Sequence, residues 1–281
     1  MLSKKEINDF HNNGFLMFNK FFDARIINNI RLEAQSIYLK QLNRLNIVQE
    51  TNITNISTTD FENGMRTLFK ENFNVFLNCG KQAQHLISLH RLSLDNKITN
   101  LLKDLGIKTP HISTRPVLFS NHPDIAKSSI NHTVPPHQDW ASMQGSINSI
   151  VIWIPLLDIN QELGSIKVIP KSHKYGLITS RRLNSFGLVE ELPNHKPMLE
   201  DNFISYNVKM GDIIVFNAFL VHQSGNNISN HFRWSTHFRY NDLEDISFIE
   251  RGYTHAYIYR PVDDIIDKQF DTHKALIKYY Q

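Results

Sequence analysis

Ile150-Val151-Ile152-Trp153-Ile154-Pro155-Leu156-Leu157 holds the longest apolar run in the chain. It falls far short of the roughly 18 residues a membrane helix needs, and Pro155 lies inside it, so it reads as a buried strand. The sequence on either side has the same texture. From Ile107 onward the apolar period is two, or short runs punctuated by turns. Candidate strands are His111–Phe119, Ser146–Leu156, Ser165–Ile169, Ile213–Phe216 and Arg233–Tyr240, with Gly145, Gly164, Gly211 and Gly225 in the turns between them. Several short strands without intervening helices favour a sandwich or barrel over a doubly wound sheet. Ser120–Thr133 and Tyr175–Tyr206 are long polar insertions, the length expected of lids that set specificity.

Residues 3–105 are different. Ser3 and Glu6 form a capping-box pattern for a short helix that Gly14 ends, and Phe15–Phe18 follows as a short strand. Asp23 is the expected N-cap of a helix to about Lys40, with Ile26, Ile27, Ile30, Ala34, Ile37 and Tyr38 on one face. Gln49–Asp60 reads as loop. Helical patterns return at Asn72–Leu89 and Ser93–Leu105, the second closed by Gly106. The expected organisation is one domain over 1–281. It has a helical layer at 1–106, a β core at 107–245 and a C-terminal extension at 246–281.

Composition bounds the function. The 281 residues are 41% hydrophobic and 20% charged, which excludes a disordered chain. A net charge of +3 argues against a nucleic-acid binder. A single cysteine, Cys79, can build neither an internal disulfide nor a zinc ribbon. The N-terminus is polar within three residues and carries no leader pattern, so a cytoplasmic protein without membrane attachment is expected. The fourteen histidines keep a metal site open.

One segment gives those histidines meaning: Pro135-Pro136-His137-Gln138-Asp139-Trp140. In an extended chain residues i and i+2 share a face, so His137 and Asp139 aim an imidazole and a carboxylate at one point. A third ligand is available in Gly211-Asp212-Ile213-Ile214-Val215-Phe216 followed by Val221-His222-Gln223-Ser224-Gly225, where turn and strand bring His222 to the same mouth. Two histidines and one carboxylate with open positions suit non-haem Fe(II). The open positions admit a bidentate 2-oxo acid and O₂, and the acid's distal carboxylate needs a guanidinium. Arg233, eleven positions after His222, fits by spacing; Arg239 has the same strand parity and stays a rival.

Each residue has an ordinary reading when taken singly. Asp139 would cap a turn, His222 and Trp153 would sit in the core, and Arg233 would face solvent. Ser224 would serve a turn, and Gln138 points away from the ligands in a regular strand. Trp140 could line a pocket, and His173 reads as part of a structural turn.

Taken in order, the residues resemble the phytanoyl-CoA dioxygenase family of Fe(II)- and 2-oxoglutarate-dependent oxygenases. The resemblance runs from Phe10–Phe18 through His137-Gln138-Asp139, Val151–Leu156, Gly164-Ser165 and Pro170-Lys171-Ser172-His173. It continues to Gly211-Asp212, His222–Asn226 and Arg233. One departure is Lys171, where the family usually has glycine. The resemblance implies an α+β chain with a mainly β core, a double-stranded β-helix (jelly roll, cupin-like) carrying N-terminal helices on one sheet. It implies His137, Asp139 and His222 on iron and Arg233 on the distal carboxylate of 2-oxoglutarate, with Gln138, Trp153 and Ser224 as further cosubstrate contacts. It also implies O₂-dependent hydroxylation of a small organic substrate with release of succinate and CO₂. Relatives that halogenate have a small residue in place of Asp139, so this chain reads as an oxygenase. Two rivals remain: a cupin-like metal enzyme that does not use 2-oxoglutarate, and a non-catalytic jelly-roll binding protein.

Overall fold

Helices come first in the chain, each set by a local signal. α1 (Lys4–Asn13) opens on the Ser3/Glu6 capping box and closes at Gly14, whose φ of +84° glycine adopts without strain. β1 (Phe15–Phe18) follows. α2 (Ala24–Arg44) starts where the Asp23 carboxylate accepts the Arg25 amide at 2.8 Å, and it buries Ile27, Ile30, Ala34, Tyr38, Leu39 and Leu42. The computed structural model describes residues 1–126, 134–178 and 202–253, with the backbone of 181–182 and 190–191.

Three helical expectations need correction. α3 (Thr58–Glu71) starts inside the stretch read as loop, because Ser57 caps it by accepting the Asp60 amide at 3.1 Å. The segment expected as one helix from Asn72 is two, α4 (Phe73–Ala83) and α5 (Ile87–Ser93), broken where Leu86 turns extended at ψ 129°. α6 (Asn96–Asp104) starts on the Asp95 cap rather than at Ser93.

The β region follows: β2 (Pro110–Ile112), β3 (Val117–Asn121), α7 (Pro123–Ala126), α8 (Trp140–Met143), β4 (Ile150–Pro155) and β5 (Lys167–Val168). The rest are β6 (Arg181–Arg182), β7 (Glu190–Glu191), β8 (Ile204–Ser205), β9 (Ile213–Asn217), β10 (His222–Gln223), β11 (Arg233–Asp242) and α9 (Ile246–Glu250). The expected strand His111–Phe119 is split into β2 and β3, with Pro116 between them, and both halves pair with β11. The expected Ser146–Leu156 shortens to β4, and Ser165–Ile169 to β5. The insertion at Ser120–Thr133 contains α7, and 127–133 lies outside the described residues. Most of Tyr175–Tyr206 and all of 254–281 do so too.

The described strands form three antiparallel sheets, the smallest being the β6–β7 pair, and the other two build the core. The larger runs β1-β9-β4-β11-β2, with β3 also on β11; the smaller runs β10-β5-β8. Alternation decides what each face touches. Ile150, Ile152 and Ile154 of β4, Ile213 and Val215 of β9 and Trp234, Phe238 and Tyr240 of β11 pack with the helices. Val151, Trp153, Ile214 and Phe216 point the other way, into a second cluster with Val168 of the smaller sheet. β4 is therefore buried on both faces along its whole length, which explains its unbroken apolar sequence. This is a jelly roll with helices outside the larger sheet. Among the described residues no helix is long and apolar enough to cross a membrane.

Candidate metal centre

β11 alternates in chemistry as well as direction. Trp234, Phe238 and Tyr240 face the helices, while Arg233, Ser235, His237 and Arg239 line a cavity of about 410 Å³ between the sheets. His137, Asp139 and His222 line the same cavity.

The two histidines meet across an antiparallel bridge, exchanging backbone hydrogen bonds of 3.0 Å in each direction, with ring centroids 4.1 Å apart. Each ring donates from Nδ1 to the carbonyl two residues before it: His137 to Pro135 at 2.8 Å and His222 to Leu220 at 3.0 Å. Both tautomers are thereby fixed, and both Nε2 lone pairs are left for the cavity.

Asp139 reaches the same point by another route than expected. Its backbone is helical (φ −61°, ψ −29°), at the N-cap of α8, so a turn and not strand alternation brings its carboxylate beside His137. Its Oδ1 lies 3.6 Å from His137 Nε2 and its Oδ2 4.0 Å from His222 Nε2.

Arg239 settles on this carboxylate, Nη2 donating to Oδ1 at 2.7 Å and Nε to Oδ2 at 3.1 Å. Burial opposes ionisation of Asp139, yet Arg239 and the two imidazoles outweigh it and hold the carboxyl well below the usual range. Burial, reinforced by His137, pushes His222 down to about 3, so its ring is neutral.

The residues fit a divalent iron. The three ligand atoms lie within 4.8 Å of one another, and no thiol is among them. Two imidazoles and a carboxylate on one side are the donor set of non-haem Fe(II), leaving positions open on the other side.

Arg233 supplies the second fit. It is 3% exposed, and burial pulls its pKa down to about 10. Its guanidinium donates to the carbonyl of Gly164, to that of Gly225 at 3.3 Å and to Ser224 Oγ at 3.3 Å, with no carboxylate partner among the described residues. Its Nε has no partner there either. A buried cation of this kind calls for an anion, and the distal carboxylate of 2-oxoglutarate is one. Two glycines build the cradle. Gly164 has φ +82°, and a Cβ on it would meet Gly225 O at 2.6 Å, so the backbones can approach only without side chains.

The remaining sequence candidates divide. Trp153 lines the cavity at 7% exposed, opposite His237 in the β4–β11 register. Ser224 lines it beside Arg233. Gln138 also borders it, but its amide is committed to the protein. Nε2 donates to Gly176 O at 2.8 Å and Phe219 O at 2.6 Å, and Oε1 accepts the Ile178 amide at 2.7 Å. Trp140 is absent from the lining, stacks on Phe219 at 4.8 Å and donates to Ser146 O. His173 contacts the His11 carbonyl at 3.0 Å, as a turn residue should. Sequence reasoning missed the Arg239–Asp139 fork and His237. The signal for both was the polar half of Arg233-Trp234-Ser235-Thr236-His237-Phe238-Arg239.

The chain is similar to several known proteins. A phytanoyl-CoA dioxygenase from Arabidopsis thaliana is 26% identical over 250 residues, covering 83% of this chain and 86% of its own. The solved structure of the α-ketoglutarate-dependent carbocyclase SnoK from nogalamycin biosynthesis matches with a TM-score of 0.57 at 15% identity, covering 93% of this chain and 94% of its own. EctD from S. alaskensis, solved with 2-oxoglutarate and 5-hydroxyectoine, matches at 0.53 and 16% identity over 87% of this chain and 77% of its own. A profile of the phytanoyl-CoA dioxygenase (PhyH) family spans residues 10–235, from the last turns of α1 to the start of β11. The chain belongs to that family and is an Fe(II)- and 2-oxoglutarate-dependent oxygenase.

Proposed function

We propose that His137, Asp139 and His222 hold the iron and that Arg233, with Ser224, holds the distal carboxylate of 2-oxoglutarate, to hydroxylate a small organic molecule. The observation that carries this reading is the buried Arg233 without an anionic partner among the described residues, lining the same cavity as a three-ligand group. Bound iron supplies O₂ activation, which side chains cannot perform, and 2-oxoglutarate leaves as succinate and CO₂.

The chain's own groups do the positioning. The Pro135 and Leu220 carbonyls fix the two imidazoles, and Arg239 fixes the plane of Asp139. The Gly164 and Gly225 carbonyls fix Arg233. Gln138 ties Gly176, Ile178 and Phe219 together beside the ligands, so it acts as a positioning residue. Trp153 forms a wall of the cosubstrate space, in register with His237.

The reading treats 1–281 as one oxygenase domain acting in the cytoplasm. One buried cluster joining α2 to β4, β9 and β11 supports the single unit. The test is succinate release from 2-oxoglutarate by purified protein, with a pooled metabolite set as the source of substrate. Fe(II)-dependent succinate that rises with some pool members is expected. Succinate formation undiminished in Arg233→Ala at limiting 2-oxoglutarate would remove Arg233 from this role.

A further inference from the structure

At the β3 edge of the larger sheet the helical layer reaches the cavity that holds the three ligands. β3 lies beside β11 with Phe119 opposite Ser235, and α4 packs on β3. Tyr38 of α2 and Phe76, Leu77 and Gly80 of α4 line the same cavity as His137, Asp139 and His222. Phe76 and Leu77 lie one turn before Gly80, so a single face of α4 forms this wall. The long insertions are the expected specificity elements, yet part of the described wall is helix.

Helix propensity does not account for Gly80. It sits inside α4 without a positive φ, so no left-handed backbone calls for glycine, and alanine would favour the helix. Space accounts for it. Beyond its own helix, a Cβ on Gly80 would meet one described atom within 4 Å, the Tyr38 hydroxyl at 3.0 Å, and would otherwise enter open space. That hydroxyl is hydrogen-bonded to Ser120, another residue of the lining. Gly64 of α3 is the contrast. A Cβ there would meet Leu42 at 2.9 Å and Val48 at 3.1 Å, as befits a glycine that lets elements pack closely. The cavity holds about 410 Å³ in all, so a branched side chain at position 80 would remove a sizeable share of it.

We propose that Gly80 is a specificity-determining residue. By withholding a side chain from α4 it leaves room beside the Tyr38 hydroxyl for one end of the substrate, and so sets the largest substrate the cavity admits. This rests on the oxygenase reading above. Two measurements test it. The first uses xenon, which binds apolar cavities, on metal-free protein with ¹³C-labelled methyl groups. The Leu77 methyl resonances should shift with xenon pressure in the wild type and stay still in Gly80→Leu. The second uses the Fe(II)- and 2-oxoglutarate-loaded protein with the pooled metabolite set. Gly80→Leu should raise the KM of the larger stimulating compounds at least about tenfold while smaller ones keep theirs, with Gly80→Ala between it and the wild type.

The KM for 2-oxoglutarate should stay the same in both variants, which separates lost room from a damaged iron site. Gly80→Ala should unfold at the same urea concentration as the wild type or a higher one, since alanine suits the helix. Leu77 shifts that are absent in the wild type, or that persist in Gly80→Leu, overturn the claim that Gly80 keeps this space open. A KM profile blind to compound size in Gly80→Leu overturns the specificity role. So does a Gly80→Ala protein that loses stability with its size profile intact, which would make Gly80 a matter of packing between α2 and α4. Absence of the visible band of the anaerobic iron chelate from the wild type overturns the oxygenase reading instead, and the xenon result stands apart from it.

Discussion

Arg233 and Arg239 leave the same face of β11 and do different work. One is cradled by carbonyls and a hydroxyl without a carboxylate among the described residues; the other forks onto Asp139. Their variants should separate accordingly. Arg233→Ala should weaken 2-oxoglutarate by about 2–5 kcal/mol, the loss expected when one partner of a buried charge-assisted pair is removed. Arg239→Ala should instead lower iron affinity by about 10–100-fold, as loss of a ligand-orienting group does. Titrating the anaerobic chelate first with Fe(II) and then with 2-oxoglutarate reads both constants, and interchanged effects would reverse the two roles. Spacing from His222 pointed to Arg233, but parity could not separate the two arginines. The separation comes from the turn at Asp139, whose helical backbone swings the carboxylate to Arg239. No short-range sequence pattern announces that turn, since it is set by packing of α8 against β9 and the segment after it, as in the Trp140 amide bond to Ala218 O at 3.0 Å.

At the scale of elements, the departure at Lys171 lies in the loop between β5 and a 3₁₀ turn at Ser172–Tyr175. Lys171 sits at φ +68°, a left-handed position where glycine is at ease and lysine is not. Its side chain is exposed and its amide donates to Asn13 O at 2.8 Å, a bond glycine would keep. Lys171→Gly should therefore stabilise the fold by about 0.5–1 kcal/mol in urea unfolding, because relieved strain exceeds the added chain entropy. Gly164→Ala should do the reverse. Its φ of +82° and the backbone contact at 2.6 Å predict a loss of about 2–4 kcal/mol, with weaker 2-oxoglutarate binding as the Arg233 cradle shifts. Elements with strong local signals were legible: α1 by its capping box, β1 by its apolar run, α2 by Asp23. Boundaries were not, where a polar first turn hid α3 and where tertiary pairing with β11 drew two strands from one stretch.

Across the whole molecule, the helices and the larger sheet share one core, and the second face of that sheet encloses the cavity. Enclosure has a pH cost at His237. Its folded pKa of about 3 lies below the unfolded value, so the unfolded chain takes up a proton first as pH falls. The contribution of His237 to stability is therefore full above about pH 6.5 and falls by about 1.4 kcal/mol per pH unit below it, through the window down to the folded pKa. Urea unfolding of metal-free protein at several pH values should show a shallower slope in His237→Phe than in the wild type; parallel slopes would mean that the ring is not held neutral. The broader architecture was legible because strand alternation and turn glycines are local, whereas the cavity depends on which strands become neighbours. Three ligands from two distant segments must converge for any of this to function. The most direct measurement is anaerobic addition of Fe(II) and 2-oxoglutarate to wild type and His222→Ala. A weak visible charge-transfer band in the wild type, lost in His222→Ala, is the predicted result; no band in the wild type, or an undiminished one in the variant, would contradict it.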